Sequence, residues 1–304
     1  MAEIVKIEGL KKSFGEIKAV DGISFSVKEG SFFAFLGING AGKSTTINIL
    51  CSILKKDEGH VVVDGHDIDF EREQIKRELG VVFQGSILDA SLSVKDNLEV
   101  RASFYGIYGK EWKKRLDEIS ELLEMKDLLD RPYGKLSGGQ RRRADVARGL
   151  IHKPKLLILD EPTTGLDPQN RKKVWEVIDR LRKNTNMTVF LTTHYMEEAN
   201  EADDVVILDA GKIAAQGNPV SLKKRYSSDY VKLYLPRSQR TDKMLENYDF
   251  EYTNCYVVKM KGSGEAKLFV KNNFDLIDDF EIVKGDMDDV FLKVTGKTLS
   301  GGAL

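Results

Sequence analysis

The stretch Gly37-Ile-Asn-Gly-Ala-Gly-Lys-Ser44-Thr45 restricts what this chain can fold into more than any other feature. It fits the spacing G-x-x-x-x-G-K-[ST], which brings a flexible loop, a cation and a hydroxyl into one turn. Glycines at 37, 40 and 42 let the backbone close into a nest whose N–H groups converge on an anion, and the positive end of a following helix strengthens the same field. The flanks agree. Ser31-Phe-Phe-Ala-Phe-Leu36 is a short apolar run fit for a buried strand, and Thr45-Thr-Ile-Asn-Ile-Leu50 continues as a helix. Strand, loop and helix in this order predict a cradle for nucleotide phosphate made by Gly37, Asn39, Gly40, Ala41, Gly42, Lys43, Ser44 and Thr45. They argue against the alternative, a glycine-rich turn with one surface lysine.

Up to Gly30 the chain alternates apolar and polar positions, with Ile4, Val5 and Ile7, then Val20, Ile23, Phe25 and Val27, between turns at Gly9, Gly22 and Gly30. This reads as antiparallel strands. Val61-Val-Val63 and Leu79-Gly-Val-Val-Phe83 are further strands. From Ser93 to Leu136 the spacing becomes helical, carried by Val94, Leu98, Leu116, Ile119, Leu122, Leu123, Leu128 and Leu129, so a helical insertion interrupts the sheet. Strand and helix then alternate: Leu156-Leu-Ile-Leu159, a helix over about 171–183, Thr188-Val-Phe-Leu-Thr192 and a helix around Met196 to Ala202. That alternation predicts a mostly parallel α/β core. Val205 to Gly217 resembles a hairpin, punctuated by Gly217-Asn-Pro219. Beyond about Ser227 a smaller pattern places strands at Tyr230–Leu235, Tyr256–Met260 and Ile277–Val283 and a last helix at Met287–Val294, enough for a small appended α+β domain. The expected division is residues 1–226 and 227–304, with Ser300–Leu304 a frayed tail.

Charge excludes some partners. With 47 Lys+Arg against 48 Asp+Glu, and a net charge of -1, no global field draws the chain to nucleic acid or to an anionic membrane. Cys51 and Cys255 stand alone and read as buried thiols in a reducing compartment, not as a disulfide. The start, Met-Ala-Glu-Ile-Val-Lys-Ile, lacks the basic flank and apolar segment of a secretory signal. Apolar stretches such as Leu156–Leu159 and Val205–Leu208 are strand-sized, far short of the roughly 20 residues that span a bilayer. A cytoplasmic protein that does not cross a membrane is expected.

Leu156-Leu-Ile-Leu-Asp160-Glu161 sets two carboxylates at the carboxyl end of an apolar run, where open parallel sheets hold their ligands. There Asp160 would orient a magnesium shell that includes the Ser44 hydroxyl, and Glu161 would polarise an attacking water. A solvated acidic strand end is the plain alternative. Leu136-Ser-Gly-Gly-Gln140 places a small hydroxyl and two glycines at the start of a helix, a second anion-binding terminus, although alone it would read as a flexible loop. The arginines at 141, 142 and 143 read as a solvated or partner-facing flank of that helix.

These motifs, in this order, resemble the nucleotide-binding subunits of ATP-binding-cassette transporters over roughly residues 1 to 220. Gly37 to Thr45 match the Walker A loop, Gln84 the Q-loop glutamine, Leu136 with Ser137, Gly138, Gly139 and Gln140 the family signature, and Leu156 to Glu161 the Walker B strand with its catalytic glutamate. Thr164-Gly-Leu-Asp167 resembles the D-loop, and His194 in Thr192-Thr-His-Tyr the switch histidine. Phe14 in Lys12-Ser-Phe-Gly15 resembles the aromatic that stacks on adenine, with a core-facing strand phenylalanine as the alternative. Asp160-Glu-Pro-Thr-Thr-Gly-Leu-Asp-Pro168, Thr192-Thr-His-Tyr-Met-Glu-Glu-Ala199 and Asp288-Asp-Val-Phe-Leu-Lys-Val-Thr-Gly296 are similar to daunorubicin-type (ABC-2) drug-exporter ATPases. Some of that group carry glutamine where His194 stands; the histidine here implies normal switch function.

The resemblance implies a P-loop NTPase core with an antiparallel β subdomain and a helical insertion, plus the small C-terminal α+β domain. It implies ATP and Mg2+ as cofactors, held between two copies in head-to-tail array. Lys43 would bind the β and γ phosphates, Ser44 and Gln84 would lie near magnesium with Asp160 in its outer shell, and Glu161 would prepare the water. His194 would sense the γ-phosphate, while Ser137 and Gly139 reach it from the other subunit. A separate membrane-spanning permease would be driven from the inner face of the cell membrane, through the groove beside Gln84. A second reading is a non-transport ATPase of the same superfamily, acting as a clamp in a soluble complex; a third is a nucleotide-responsive module without turnover.

Overall fold

The computed structural model describes residues 2–296, so the tail expected at Ser300–Leu304 lies outside the described residues. The chain builds β1 (Glu3–Phe14), β2 (Ile17–Lys28), β3 (Phe32–Leu36), α1 (Lys43–Leu50), β4 (Glu58–Val63), β5 (His66–Asp67), α2 (Arg72–Glu78) and β6 (Leu79–Val82). Then come α3 (Val94–Ser103), α4 (Gly109–Leu122), α5 (Gly138–Leu150), β7 (Leu156–Asp160), α6 (Pro168–Asn184), β8 (Thr188–Thr193), β9 (Asp204–Asp209) and β10 (Lys212–Gly217). The remainder is α7 (Pro219–Tyr226), β11 (Asp229–Leu233), α8 (Gln239–Met244), β12 (Phe250–Tyr252), β13 (Tyr256–Met260), α9 (Ser263–Asn272), β14 (Phe280–Val283) and α10 (Met287–Thr295).

A six-stranded sheet in the order β10-β9-β3-β8-β7-β6 carries the site. β3 runs parallel to both β8 and β9, and β7 parallel to β6 and β8. Every residue of β3 and of β8 is buried, which is why neither strand alternates between apolar and charged positions. The register then does something for function. Leu36 lies opposite Thr193, and Asp160 opposite Thr192, so the loop after β3, the two carboxylates and His194 all emerge at one edge.

The second sheet, β2-β1-β4-β5, is antiparallel, as the alternation up to Gly30 requires. Its inward residues, among them Val5, Ile7, Leu10, Ile23 and Phe25, join Ile47, Ile49 and Leu50 of α1 and Phe33, Phe35 and Phe190 in one core. Phe25 stacks on Phe33 with centroids 5.3 Å apart. Burying such a ring fully is worth about 1.5–3 kcal/mol, so α1 is locked between the sheets and the loop ahead of it has a rigid base. Helices α3 and α4 fall in the insertion expected between Ser93 and Leu136.

By contacts the chain divides into two compact units, one running up to Tyr195 and including Glu201–Ala214, the other made of Met196–Asn200 and the chain from Ala215 on. The division therefore precedes residue 226, because α7 and the turn at Met196–Ala199 both pack on α10. In the second unit an antiparallel sheet, β12-β13-β11-β14, is covered by α9 around Val231, Leu233, Tyr256, Val258 and Phe269.

One local expectation needs correcting. The helix around Met196 to Ala202 is only a single 3-10 turn, Met196–Ala199. The chain has to rejoin the sheet at once: Asp203 N donates to Phe32 O at 2.8 Å, and Phe32 N donates to Asp203 Oδ2 at 2.7 Å. Gly217-Asn-Pro219 does punctuate the hairpin, since β10 ends at Gly217, and it also starts a helix: Ser221 N donates to Asn218 Oδ1 at 2.8 Å, and Pro219 takes the first turn of α7. Cys51 and Cys255 are both free and buried, and burial pushes the Cys51 thiol up to about 12. Among the described residues no helix is long and apolar enough to cross a membrane.

One half-buried histidine makes stability depend on pH. The His152 ring lies flat on Tyr105, with centroids 4.0 Å apart, and its Nε2 sits 3.0 Å from Leu79 O. Burial first, and then the cations Arg101, Arg115 and Arg148, lower its pKa from 6.5 to about 4. Between those values the unfolded chain binds a proton that the folded chain refuses, so stability falls as pH drops. We expect a loss on the order of 2 kcal/mol between pH 7 and pH 5 from this group. Urea unfolding at the two pH values should show a shallower slope in His152→Gln, and an unchanged slope would refute the assignment.

Candidate nucleotide site

The loop from Gly37 to Gly42 owes its shape to backbone crowding. A Cβ on Gly37 would stand 2.7 Å from Leu208 O, and one on Gly42 would collide with Ala19 O, where φ is also +108°. Glycine is the residue that satisfies both conditions. Ala41 N donates to Ile38 O at 3.1 Å and Gly211 N to Ala41 O at 3.0 Å, which fixes the loop to the β9–β10 turn. Lys43 opens α1 and folds back over the loop: Nζ donates to Gly37 O at 2.6 Å and to Ile38 O at 3.2 Å. Ser44 is exposed beside it and Thr45 half-buried. The first N–H groups of α1 lie at the same place, with no acidic residue in that turn to compete for them.

Across from the loop, Glu161 gathers four side chains. Its Oε1 lies 3.5 Å from Lys43 Nζ. Its Oε2 accepts from Thr164 Oγ1 at 3.1 Å and from Gln84 Nε2 at 3.4 Å. His194 Nδ1 is 3.3 Å from that same oxygen, not aligned as a hydrogen bond. Asp160 Oδ1 accepts from Thr192 Oγ1 at 2.5 Å. Burial lowers the Lys43 pKa against the pull of Glu161, and burial raises that of Asp160 against its Thr192 bond. In both groups burial works against the charged form, which added opposite charge would stabilise. Glu161 also holds φ at +45°, a left-handed conformation that costs about 1–3 kcal/mol in a residue other than glycine. Its N–H is pinned to Thr192 O at 3.0 Å and Thr192 Oγ1 at 3.1 Å. A strained, heavily held carboxylate between a cation and an imidazole is the arrangement of a group that acts on a bound molecule.

Other expected residues gather elsewhere. Ser137 caps α5 in a reciprocal box with Gln140: Gln140 N donates to Ser137 Oγ at 3.4 Å and Ser137 N to Gln140 Oε1 at 3.0 Å. Gly139 leaves no room for a Cβ against Asn170, and a Cβ on Gly138 would lie 3.0 Å from Leu166. Asp167 caps α6, accepting from Asn170 N at 3.0 Å. Signature and D-loop therefore form one corner of their own, and the hydrogen bonds described for Ser137 and Gln140 join them to each other. Phe14, at the end of β1, is 51% exposed with Lys12 Nζ 5.6 Å from its ring centroid, so it is not a core-facing phenylalanine.

The arginines after the signature are not one solvated flank. Arg141 is exposed and donates to Gly134 O at 2.6 Å, and Arg143 donates to Glu124 O at 2.6 Å. Arg142 is buried: it donates from Nη1 to Phe83 O and from Nε to Pro162 O, both at 2.6 Å, and from Nη2 to Glu161 O at 3.1 Å and Asp160 O at 3.2 Å. Helical rotation turns adjacent side chains about 100° apart, and charge composition cannot tell which one faces inward.

Residues 20–164 match the family profile described as ABC transporter. The daunorubicin resistance ATP-binding protein DrrA2 of Streptomyces coeruleorubidus is 31% identical over 96% of this chain and 95% of its own length. The chain belongs to the ABC transporter family. A second member, the Nod factor export ATP-binding protein I of Ralstonia nicotianae, is 40% identical over 76% of this chain and 72% of its own. A solved ABC cassette, dimeric in a post-hydrolysis state and bound to ADP and Pi, matches 70% of this chain and 98% of its own with 29% identity and a TM-score of 0.64. The ABC cassette fold accounts for the six-stranded sheet, the glycine loop at its centre and the helical insertion of this member.

Proposed function

We propose that this chain is the ATP-hydrolysing subunit of an ABC-2 type exporter of drugs or other hydrophobic compounds, working in pairs on the cytoplasmic face beneath a separate permease. The observation that carries the reading is the convergence of Lys43, Gln84, Thr164 and His194 on Glu161 beside the glycine loop. Export is supported by the Nod factor export relative, and a drug as cargo by the daunorubicin resistance relative.

The γ and β phosphates of ATP take the place of Gly37 O and Ile38 O on Lys43, with Gly37, Asn39, Gly40, Ala41, Gly42, Ser44 and Thr45 closing round them. Glu161 accepts a proton from water as the water oxygen attacks the γ-phosphorus, and the bond to the ADP oxygen breaks. His194 steadies the γ-phosphate. The Ser44 hydroxyl, the Gln84 amide oxygen and the under-compensated Asp160 carboxylate are the hard oxygen donors that suit Mg2+. When bound, that ion supplies neutralising charge to the phosphates. Phe14 stacks on adenine, and Ser137, Gly138, Gly139, Gln140 and Asp167 of the second copy complete the pocket.

For the permease, Ile87, Val100 and Phe104 are more than half exposed on and just before the insertion, apolar surface a membrane partner would cover. α3 and α4 have 10 and 14 residues, too short for the coiled coil of a repair-type clamp. The test is reconstitution: the chain should co-purify with a membrane-spanning protein, and phosphate release in vesicles should rise when an exported hydrophobic compound is added. Stable capture in a soluble complex, with turnover indifferent to any permease, would favour the clamp instead.

A further inference from the structure

The guanidinium of Arg142 grips the backbone on either side of Glu161 and the residue that leads into Gln84. Its side chain is 6% exposed and faces Asp160 O, Glu161 O and Pro162 O in one direction and Phe83 O in another. Neighbouring arginines on α5 hold other things: Arg141 takes Gly134 O, Arg143 takes Glu124 O, and Arg148 takes Val81 O. Only the acceptors of Arg142 lie on both loops that present groups to the carboxylate cluster. A left-handed Glu161 persists only if its surroundings over-determine it. Thr192 holds the N–H side of that residue, while its carbonyl accepts from Arg142 Nη2 at 3.1 Å and from Thr164 N at 3.3 Å, so Arg142 is the side chain that holds the carbonyl side. The planar fork matters, since an ammonium presents one point where the guanidinium presents several fixed donors.

We propose that Arg142 is a positioning residue for ATP hydrolysis, holding the strained Glu161 backbone and the Phe83–Gln84 approach so that the Glu161 carboxylate faces the attacking water. This rests on Glu161 being the base. Because Arg142 and Ser137 ride on the same helix, movement of the α5 start on meeting phosphate of the opposite site reaches Glu161 through this side chain.

Misplacing a reacting group by about 1 Å costs on the order of 10²-fold, so Arg142→Gln should lower kcat by about that factor with KM for ATP nearly unchanged. Arg142→Lys, which keeps the charge and some donors, should recover part of the rate; it also carries the test if the glutamine variant fails to fold. In a Glu161→Gln background, Arg142→Gln should add no further loss, because the group it positions is gone. Equal losses in both backgrounds, an unchanged kcat, or a defect confined to KM or melting temperature would each overturn the proposal. The same set separates it from the assignment beneath: wild-type turnover in Glu161→Gln alone removes the base, whereas an inactive Glu161→Gln beside a fully active Arg142→Gln removes only the positioning role.

Discussion

Glu161→Gln should bind ATP and still let two copies close on it, while hydrolysing it more slowly by on the order of 10²–10⁴, the usual worth of a positioned base. The amide keeps the size of the side chain and its contacts with Thr164 and Gln84, at 3.1 and 3.4 Å in the native chain, so the loop geometry survives. What it loses is the proton acceptor and one negative charge 3.5 Å from Lys43. Removing a negative charge from beside a triphosphate lowers repulsion in a site poor in water, so affinity should hold or rise. Single-turnover phosphate release, with light scattering in the presence of ATP, measures the two halves of the expectation separately. Near-normal release would remove Glu161 from the role, and loss of binding would mean that the carboxylate is needed to hold the cradle open.

Features whose cause is local were legible from the amino-acid order. The glycine loop could be read because its glycines, lysine and hydroxyl follow one another in a single short run between an apolar strand and a helix. Asp160 and Glu161 could be read because burying β7 needs apolar residues up to Leu159, after which charge can only mark the strand end. What escaped depends on partners far along the chain. Arg142 lies among like residues, and only the return of the loops at Phe83 and Asp160–Pro162 makes it a buried one. The turn at Met196–Ala199 has helical spacing, but the pairing of Asp203 with Phe32 leaves it no length. Asn218 and Pro219 stop a strand and start a helix with the same residues, and propensity alone does not separate the two.

Lys43→Ala and Ser137→Arg should both abolish turnover, by at least about 10²-fold as expected for lost charge-stabilising donors, yet differ in everything else. Lys43 stands within the glycine loop, its ammonium on Gly37 O, so its loss should weaken ATP binding to a single chain. Ser137 belongs to the separate corner formed with Gln140, Leu166 and Asn170, and nothing there bonds to the loop among the described residues. An arginine at 137 should leave single-chain affinity intact and block only the ATP-driven pairing, since it stands where phosphate of the other copy must enter. Losing the helix cap costs about 1 kcal/mol, too little to unfold the chain, and a melting curve checks this. Equilibrium binding and scattering on both variants then give a clear contrast. A Ser137→Arg chain that hydrolyses ATP at the native rate as a monomer would show that one copy encloses its own triphosphate, and the head-to-tail pair would have to be abandoned.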